Sequence, residues 1–274
     1  MNRRRLSWAG GALLGLGILL TPHATRAADE EIRTIPTPRG VTLPVLLVHP
    51  AGPPVASVIL FIGGEGRLAL QPPATIGHAR GNFLARTRQR FARDGFLVAL
   101  PDLPSDRGAD LWNFRTSGAH AEDVGALIAA LRATAPGPVW VIGTSMGTLS
   151  AANAAARLKS GGPDGVVLTS TVTRTFKQSG ESVLTVGLGD IRVPTLLVHH
   201  RDDACRVAPY AGASRVLAAL EHAPAKELLT FSGGSPPQSE PCEARSAHGY
   251  LGLEAEVVDA IAAWVRAHSG SATP

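Results

Sequence analysis

The feature that most constrains the fold is a repeated alternation of short apolar runs with segments of helical periodicity. Residues 139–142 and 195–199 are largely apolar along their whole length, which is typical of strands buried on both faces. Residues 119–133 carry Val124, Leu127 and other apolar side chains at the spacing of one helix face. This order predicts βαβ units, and therefore one α/β domain with a mostly parallel, doubly wound sheet flanked by helices.

The remaining elements follow the same rule, and no internal repeat or linker divides them. Further strands are predicted at residues 41–49, 55–62, 96–100, 166–168 and 227–231, and further helices at 83–94, 146–159, 209–221 and 250–268. Residues 171–193 and 232–247 are long stretches rich in Gly, Ser, Thr and Pro. Long loops at the edge of such a sheet usually carry binding, so we expect the functional site there.

The first 27 residues have the order of a secretory signal. Arg3, Arg4 and Arg5 precede an apolar stretch at residues 8–20, and small residues follow up to the expected cleavage point after Ala27. An uncleaved anchor is the alternative, but about 13 apolar residues are fewer than the roughly 20 that span a bilayer. We therefore expect a signal peptide at 1–27 and a periplasmic or secreted domain at 28–274 without stable membrane insertion. Export by the general or the twin-arginine route stays open.

The net charge of +4 comes from the leader. Four basic residues lie before residue 28 and no acidic residue precedes Asp29, so the remainder of the chain is formally neutral. Aromatic residues make up only 5%, which leaves no array for stacking on bases or sugars. Nucleic acid is not an expected partner, and the oligomeric state stays open.

The chain contains two cysteines, Cys205 and Cys242. An even number in an exported protein favours a disulfide, with two free thiols as the alternative. The bridge would close a loop of about 37 residues, which the chain-entropy treatment credits with close to 4 kcal/mol.

A candidate nucleophile lies between a predicted strand and a predicted helix. Residues 143–147 read Gly-Thr-Ser-Met-Gly, the G-x-S-x-G pattern of a nucleophile elbow. The pattern alone is weak in a chain with 30 glycines, and a plain Gly-rich turn is the alternative. A strand-to-helix turn would expose the hydroxyl of Ser145 at the carboxyl edge of the sheet. A Cβ at Gly143 or Gly147 would collide with the neighbouring strand and helix.

A serine hydroxyl needs a base, and the base needs a carboxylate to orient it. Asp203 follows the predicted strand at 195–199 and is the expected acid, with Asp202 in reserve. His248 lies just before the last helix and is the expected base. The chain order Ser, Asp, His matches the order that accompanies a nucleophile elbow.

Other histidines fit less well. His199 and His200 are consecutive at a strand end and point to opposite faces, so we expect one in packing and one in a loop. A metal site formed by these two with Asp202 and Cys205 has no recognised ligand spacing. Neither a metal nor another cofactor is expected.

The anionic intermediate of acyl transfer needs two backbone N–H donors. We expect one from Met146, directly after the candidate nucleophile. The other is expected from the Gly-rich turn at residues 63–66, with Gly64 preferred and Glu65 next; a flexible β-turn is the alternative reading. A Cys205–Cys242 bridge would also connect the loop of Asp203 to the loop of His248 and limit their relative movement.

Together these motifs resemble the α/β-hydrolase superfamily over nearly the whole chain after residue 27. The resemblance implies an eight-stranded, mostly parallel sheet and hydrolysis of esters, thioesters or amides through an acyl-enzyme. The chain departs from commoner members at Ile62, where many carry histidine. Only about 23 residues separate Thr171 from Pro194, where others insert a helical cap, so an open or shallow pocket is expected.

The leading hypothesis is an exported serine hydrolase, resembling carboxylesterases, that acts on a small-molecule acyl substrate. A peptidase or an acyltransferase would use the same triad. A noncatalytic binding protein that keeps the fold is the alternative from a different class.

Overall fold

The structure is a computed structural model that describes residues 29–175 and 179–270. The expected signal peptide at residues 1–27 lies outside this part of the chain. Over the two described ranges, no helix is both long and apolar enough to cross a membrane.

Ten strands and five α-helices make up the described chain. The strands are β1 (Asp29–Pro36), β2 (Thr42–His49), β3 (Ala56–Phe61), β4 (Leu70–Gln71), β5 (Thr75–Ile76), β6 (Phe96–Pro101), β7 (Val139–Thr144), β8 (Gly165–Thr169), β9 (Thr195–His200) and β10 (Lys226–Phe231). The helices are α1 (Phe83–Arg93), α2 (Gly118–Thr134), α3 (Gly147–Arg157), α4 (Ala213–Ala219) and α5 (Glu254–Ser269).

Eight strands form one sheet in the order β1-β2-β6-β3-β7-β8-β9-β10, and β4 and β5 form a separate small hairpin. Strands β1 and β2 are antiparallel to their neighbours, and every other pair in the large sheet is parallel. The sequence-based prediction of a mostly parallel α/β sheet flanked by helices is therefore confirmed.

Both faces of the sheet are covered, as the apolar strands predict. In β3, Ile59 and Phe61 pack into the cluster that includes residues of α2, α3 and α4. The alternating residues Val58 and Leu60 pack on the opposite side with residues of α1 and α5. Such a strand is buried on both faces, so every position is apolar except Ser57.

Two predicted helices are shorter than expected. The segment expected to be helical at 209–221 begins with a 3₁₀ turn at Tyr210–Gly212, and its α-helix extends only over α4. The segment at 250–268 becomes helical only at α5, because Tyr250 has a φ of 57° and Gly252 a φ of 81°. Residues in this left-handed region interrupt a right-handed helix, so the loop that carries His248 stays outside α5.

The sequence analysis missed β1, the edge strand. Its sequence begins with three acidic residues, which conceal the strand pattern. Charged side chains on an edge strand discourage pairing with other chains, so this composition is typical of such a position.

The carboxyl ends of β3, β7, β8 and β9 lie at the same edge of the sheet because these strands are parallel. No large cap domain covers this edge: the described residues between β8 and β9 form only two short 3₁₀ turns, Val183–Thr185 and Leu188–Asp190. Side chains placed just after these strands therefore meet in an accessible region.

Candidate active site

Ser145 occupies a strained turn between β7 and α3. Its φ is 52°, and its backbone N–H donates to Thr169 O at 3.0 Å, which fixes the turn to β8. A Cβ at Gly143 would lie 2.3 Å from Gly147 O, and one at Gly147 would lie 2.0 Å from Phe61 O. Neither backbone atom can move away easily, so both flanking residues must be glycine for this turn to form.

Asp203 and His248 are hydrogen-bonded side chains from two different loops. The Nδ1 atom of His248 lies 2.8 Å from Asp203 Oδ2, and both side chains are buried. The structure thus brings together the acid and the base expected from the sequence. Asp202, the reserve candidate, is exposed, and its backbone N–H donates to His200 Nδ1.

Several donors surround the Asp203 carboxylate. Besides His248, His199 Nε2 lies 3.5 Å from Oδ2, and the backbone N–H of Cys205 donates to Oδ1 at 2.9 Å. Burial by itself would raise the pKa of Asp203, but the hydrogen bonds from His199 and His248 outweigh it and lower this pKa to about 2. The carboxylate therefore stays negatively charged, as a group that orients an imidazole must.

The sequence analysis expected one histidine of the 199–200 pair to lie in a loop, and this is wrong. Both His199 and His200 are buried. His199 Nε2 lies 2.9 Å from Ala208 O, and His200 Nε2 lies 3.1 Å from Gly233 O. Both are at the end of β9, and the Nε2 atom of each ring contacts a backbone carbonyl of a later segment, whereas His199 Nδ1 has no hydrogen-bond partner among the described residues. The contact between His199 and the acid joins residues only four apart, but no sequence pattern marks it.

The loop of His248 is attached to the ends of two strands. Ser170, directly after β8, donates its hydroxyl to His248 O at 2.7 Å. The hydroxyl of Tyr250 donates to Val198 O at 2.8 Å and accepts from Ser170 N–H at 3.1 Å. These bonds hold the imidazole-bearing segment close to the sheet edge from which Ser145 emerges.

Ser145 and His248 line the same small pocket, which has a volume of about 50 Å³. His248 is buried, and its Nε2 atom has no hydrogen-bond partner in the described chain. The hydrogen bond from Ser145 to this nitrogen is therefore not formed in this conformation. Contacts of this kind are often long in substrate-free enzymes and tighten when a substrate binds.

The Gly-rich turn after β3 lies against the serine. A Cβ at Gly63 would lie 3.0 Å from Ser145 Cβ and 3.2 Å from Thr144 O, so a larger residue would push against the turn that carries Ser145. Gly64, with a φ of 58°, lines the same pocket, whereas Glu65 is exposed and lies 3.6 Å from His78. The other expected donor, Met146, is the N-cap residue of α3, where backbone N–H groups are unpaired and the helix dipole favours negative charge.

A buried arginine supports this turn, and the sequence analysis did not find it. Arg115 is 1% exposed, and its Nη2 atom donates to Ile62 O and Gly64 O, each at 3.1 Å. Its Nη1 atom donates to Ser150 Oγ at 2.9 Å, which links the turn to α3. Burial lowers the pKa of Arg115 to about 10, so the group still carries its charge at neutral pH. One arginine among many in the sequence gives no indication of such a role.

Cys205 and Cys242 form a disulfide, as the sequence analysis predicted. Cys205 follows the Asp203 carboxylate, and Cys242 lies at the rim of the Ser145 pocket. The buried group of Asp203, Cys205 and His248 has the spacing of a metal site, but its sulfur is bonded to Cys242 and cannot be a thiolate ligand.

A larger cleft of about 560 Å³ adjoins the Ser145 pocket and shares lining residues with it. Charged side chains of both signs, Glu65, Arg67, Glu243 and Arg245, line this cleft together with His78. The Ser145 pocket therefore adjoins a polar, open cleft rather than an enclosed apolar tunnel.

Solved structures with the same architecture include hydrolases from several organisms. An α/β serine hydrolase without a lid from Xanthomonas campestris has a TM-score of 0.60 at 17% identity, covering 90% of this chain and 97% of that one. An esterase from Pyrococcus furiosus has a TM-score of 0.64 at 16% identity, covering 95% and 97%. A dienelactone hydrolase from Anabaena variabilis has a TM-score of 0.60 at 18% identity, covering 89% and 100%.

This chain has the α/β-hydrolase fold. No family model and no curated protein matches its sequence. In the α/β-hydrolase fold of this chain, the turn at Ser145 and the loops of Asp203 and His248 all lie at the carboxyl edge of the parallel strands. The fold itself leaves the reaction open, so the chemistry has to be argued from these side chains.

Proposed function

We propose that this protein is a serine hydrolase that cleaves ester-type bonds through an acyl-enzyme. The observation that carries the proposal is the hydrogen bond between His248 Nδ1 and Asp203 Oδ2, in a histidine that lines one pocket with Ser145. Ser145 is the nucleophile, His248 the general base and Asp203 the group that orients the imidazole.

The reaction has two balanced steps. Ser145 Oγ attacks the substrate carbonyl carbon while His248 Nε2 takes its proton, and the backbone N–H groups of Met146 and Gly64 stabilise the resulting oxyanion. The intermediate collapses to the acyl-enzyme, and the imidazolium returns its proton to the departing alcohol. Water then attacks the acyl carbon, His248 takes its proton, and the carboxylic acid leaves as the proton returns to Ser145.

The open cleft beside the pocket supports small or flexible acyl substrates. Two proteins of similar structure are described as esterases, and one as a dienelactone hydrolase, which supports an ester or lactone bond. The disulfide is compatible with an oxidising compartment, so we further infer that the protein is exported after loss of residues 1–27.

Turnover of p-nitrophenyl acetate by the purified protein tests the proposal. Wild type should hydrolyse the ester well above the buffer rate, and Ser145→Ala should lose this activity by at least about 10³-fold. Ser214→Ala is the matched control, because Ser214 lies on the exposed side of α4 and should keep wild-type turnover. Hydrolysis that persists in Ser145→Ala, or a folded wild type without esterase activity on acyl chains of any length, contradicts the proposal.

A further inference from the structure

Asn82 begins helix α1 and has a fixed side-chain orientation. Its Oδ1 atom accepts a hydrogen bond from Leu84 N–H at 3.1 Å, which makes it the N-cap of the helix. Its backbone N–H donates to Ala79 O, and its carbonyl accepts from Arg86 N–H, each at 2.9 Å. With the oxygen committed to the cap, the amide nitrogen Nδ2 must point away from the helix.

The Nδ2 atom lies close to the candidate nucleophile, on the other side of Gly63. A Cβ placed on Gly63 would lie 3.5 Å from Asn82 Nδ2 and 3.0 Å from Ser145 Cβ, so only the small residue Gly63 separates the two side chains. Asn82, Ser145 and His248 line the same pocket. In the described chain, Asn82 Nδ2 donates to no protein atom. Two amide hydrogens are therefore free to bind a group in this pocket.

The start of α1 contacts the loop of His248, and these contacts fix the position of Asn82 relative to the site. Phe83 packs against Tyr250 with ring centroids 4.9 Å apart. Arg86 donates to the carbonyls of Ala244 and Gly249, on both sides of the histidine. An amide held by a cap on one side and by these contacts on the other is preorganised, which is the condition for strong electrostatic stabilisation.

We propose that Asn82 is a catalytic residue whose Nδ2 donates a hydrogen bond to the substrate oxyanion, beside the backbone donors. This inference rests on the proposed serine hydrolase function. A neutral amide suits the role because it donates without titrating, and its second hydrogen can contact the carbonyl or ether oxygen of an ester substrate. The Asn82 side chain thus has two roles: its oxygen stabilises α1, and its nitrogen stabilises the transition state.

Two substitutions separate the capping role of Asn82 from its role in binding the oxyanion. Asn82→Asp and Asn82→Ser both retain an oxygen that can cap α1, and neither carries an amide N–H. The loss of one oxyanion donor typically costs about 10²–10³-fold in kcat, so both variants should lose kcat by this order, with little change in KM and in melting temperature. The aspartate variant should be the slower of the two, because its carboxylate repels the oxyanion.

The affinity of a trifluoromethyl ketone inhibitor, whose adduct with Ser145 carries the oxyanion, gives a second readout. Its inhibition constant should rise by the same factor as kcat/KM falls. Ser117→Ala is the control: Ser117 caps α2 by accepting from His120 N–H at 3.0 Å, so its loss should lower the melting temperature without changing kcat.

The outcomes distinguish this inference from the proposed function. Wild-type kcat and wild-type inhibitor affinity in both Asn82 variants would overturn the role of Asn82 while the hydrolase proposal stands. The role of Asn82 would also be overturned if kcat of the two variants fell only in proportion to the fraction of each variant that is unfolded. An inactive wild type, or an active Ser145→Ala, would instead overturn the hydrolase function on which the inference rests.

Discussion

Asp203 Oδ2 lies 2.8 Å from His248 Nδ1, although 45 residues of chain separate the two. The acid follows β9, and the base precedes α5, so the bond joins two loops with no other common element. The same two loops are joined a second time by the Cys205–Cys242 disulfide. The geometry of the candidate triad therefore depends on a local hydrogen bond and on a covalent link next to it.

The two neighbouring aspartates should respond differently to substitution. Asp203→Asn removes the charge that orients His248 and stabilises its protonated form, so kcat for p-nitrophenyl acetate should fall by about 10³–10⁴-fold. Asp202→Asn changes an exposed side chain and should keep kcat within about two-fold. Steady-state kinetics of both variants make the comparison, and the opposite ranking would mean that Asp202 is the acid.

Low pH should destabilise the protein in part through Asp203. Its pKa of about 2 in the folded protein is below the usual value near 3.9, so its charge stabilises the fold fully above about pH 4. This contribution is lost as the pH falls from about 4 toward 2. The free energy of unfolding, measured with urea at several pH values, should depend less on pH in this window for Asp203→Asn than for wild type. An equal pH dependence in the two proteins would contradict the lowered pKa of Asp203.

The disulfide should matter more to turnover than to secondary structure. The double variant Cys205→Ser, Cys242→Ser should unfold more easily, by at most about 4 kcal/mol, because its unfolded chain regains the freedom of a 37-residue loop. At a temperature where far-UV circular dichroism is unchanged, kcat should still be lower, since the Asp203 and His248 loops can drift apart. Unchanged kcat in the folded double variant would limit the bridge to a stabilising role.

His120 should make the stability pH-dependent. Its buried ring lies between Phe61 and Phe114, both ring nitrogens lack partners among the described residues, and burial, with the charges of Arg115 and Arg39, lowers its pKa to about 3. Between the ordinary histidine value of about 6.5 and pH 3, the unfolded chain therefore binds a proton that the folded protein does not. The free energy of unfolding should therefore fall as the pH is lowered through this window, by up to about 1.4 kcal/mol for each pH unit.

The variant His120→Phe provides the comparison, because phenylalanine keeps an aromatic ring between the two neighbours and has no titratable group. Its free energy of unfolding, measured with urea from pH 7 to pH 4, should depend less on pH than that of wild type. Parallel curves would show that His120 does not resist protonation in the folded protein.

Much of this architecture was predictable because it depends on local patterns. The strands β7 and β9 are largely apolar along their length. The elbow at Ser145 is specified by a motif of five consecutive residues. The choice of Asp203 and His248 followed from their order along the chain. For the strands and the elbow, the physical constraint, burial on two faces or a turn too tight for a Cβ, acts on neighbouring residues.

The remaining features depend on how the chain is arranged in three dimensions, which no sequence pattern shows. Arg115 reaches Ile62 O and Gly64 O across more than 50 residues, and nothing near it in the sequence marks it as buried. His199 contacts Asp203 only because the chain turns after β9. The sequence analysis did not single out Asn82 either: an asparagine directly before a helical pattern is a recognisable N-cap, but its proposed catalytic role depends on its position across Gly63 from Ser145.

The central claim is that Ser145 is a nucleophile activated by His248, and covalent labelling tests it most directly. Wild type is treated with a fluorophosphonate, and the intact mass and the modified peptide are determined. We predict a single adduct on Ser145, none in Ser145→Ala, and a labelling rate reduced by at least about 10²-fold in His248→Ala. A folded wild type that gains no adduct, or an adduct on another residue, would contradict the account.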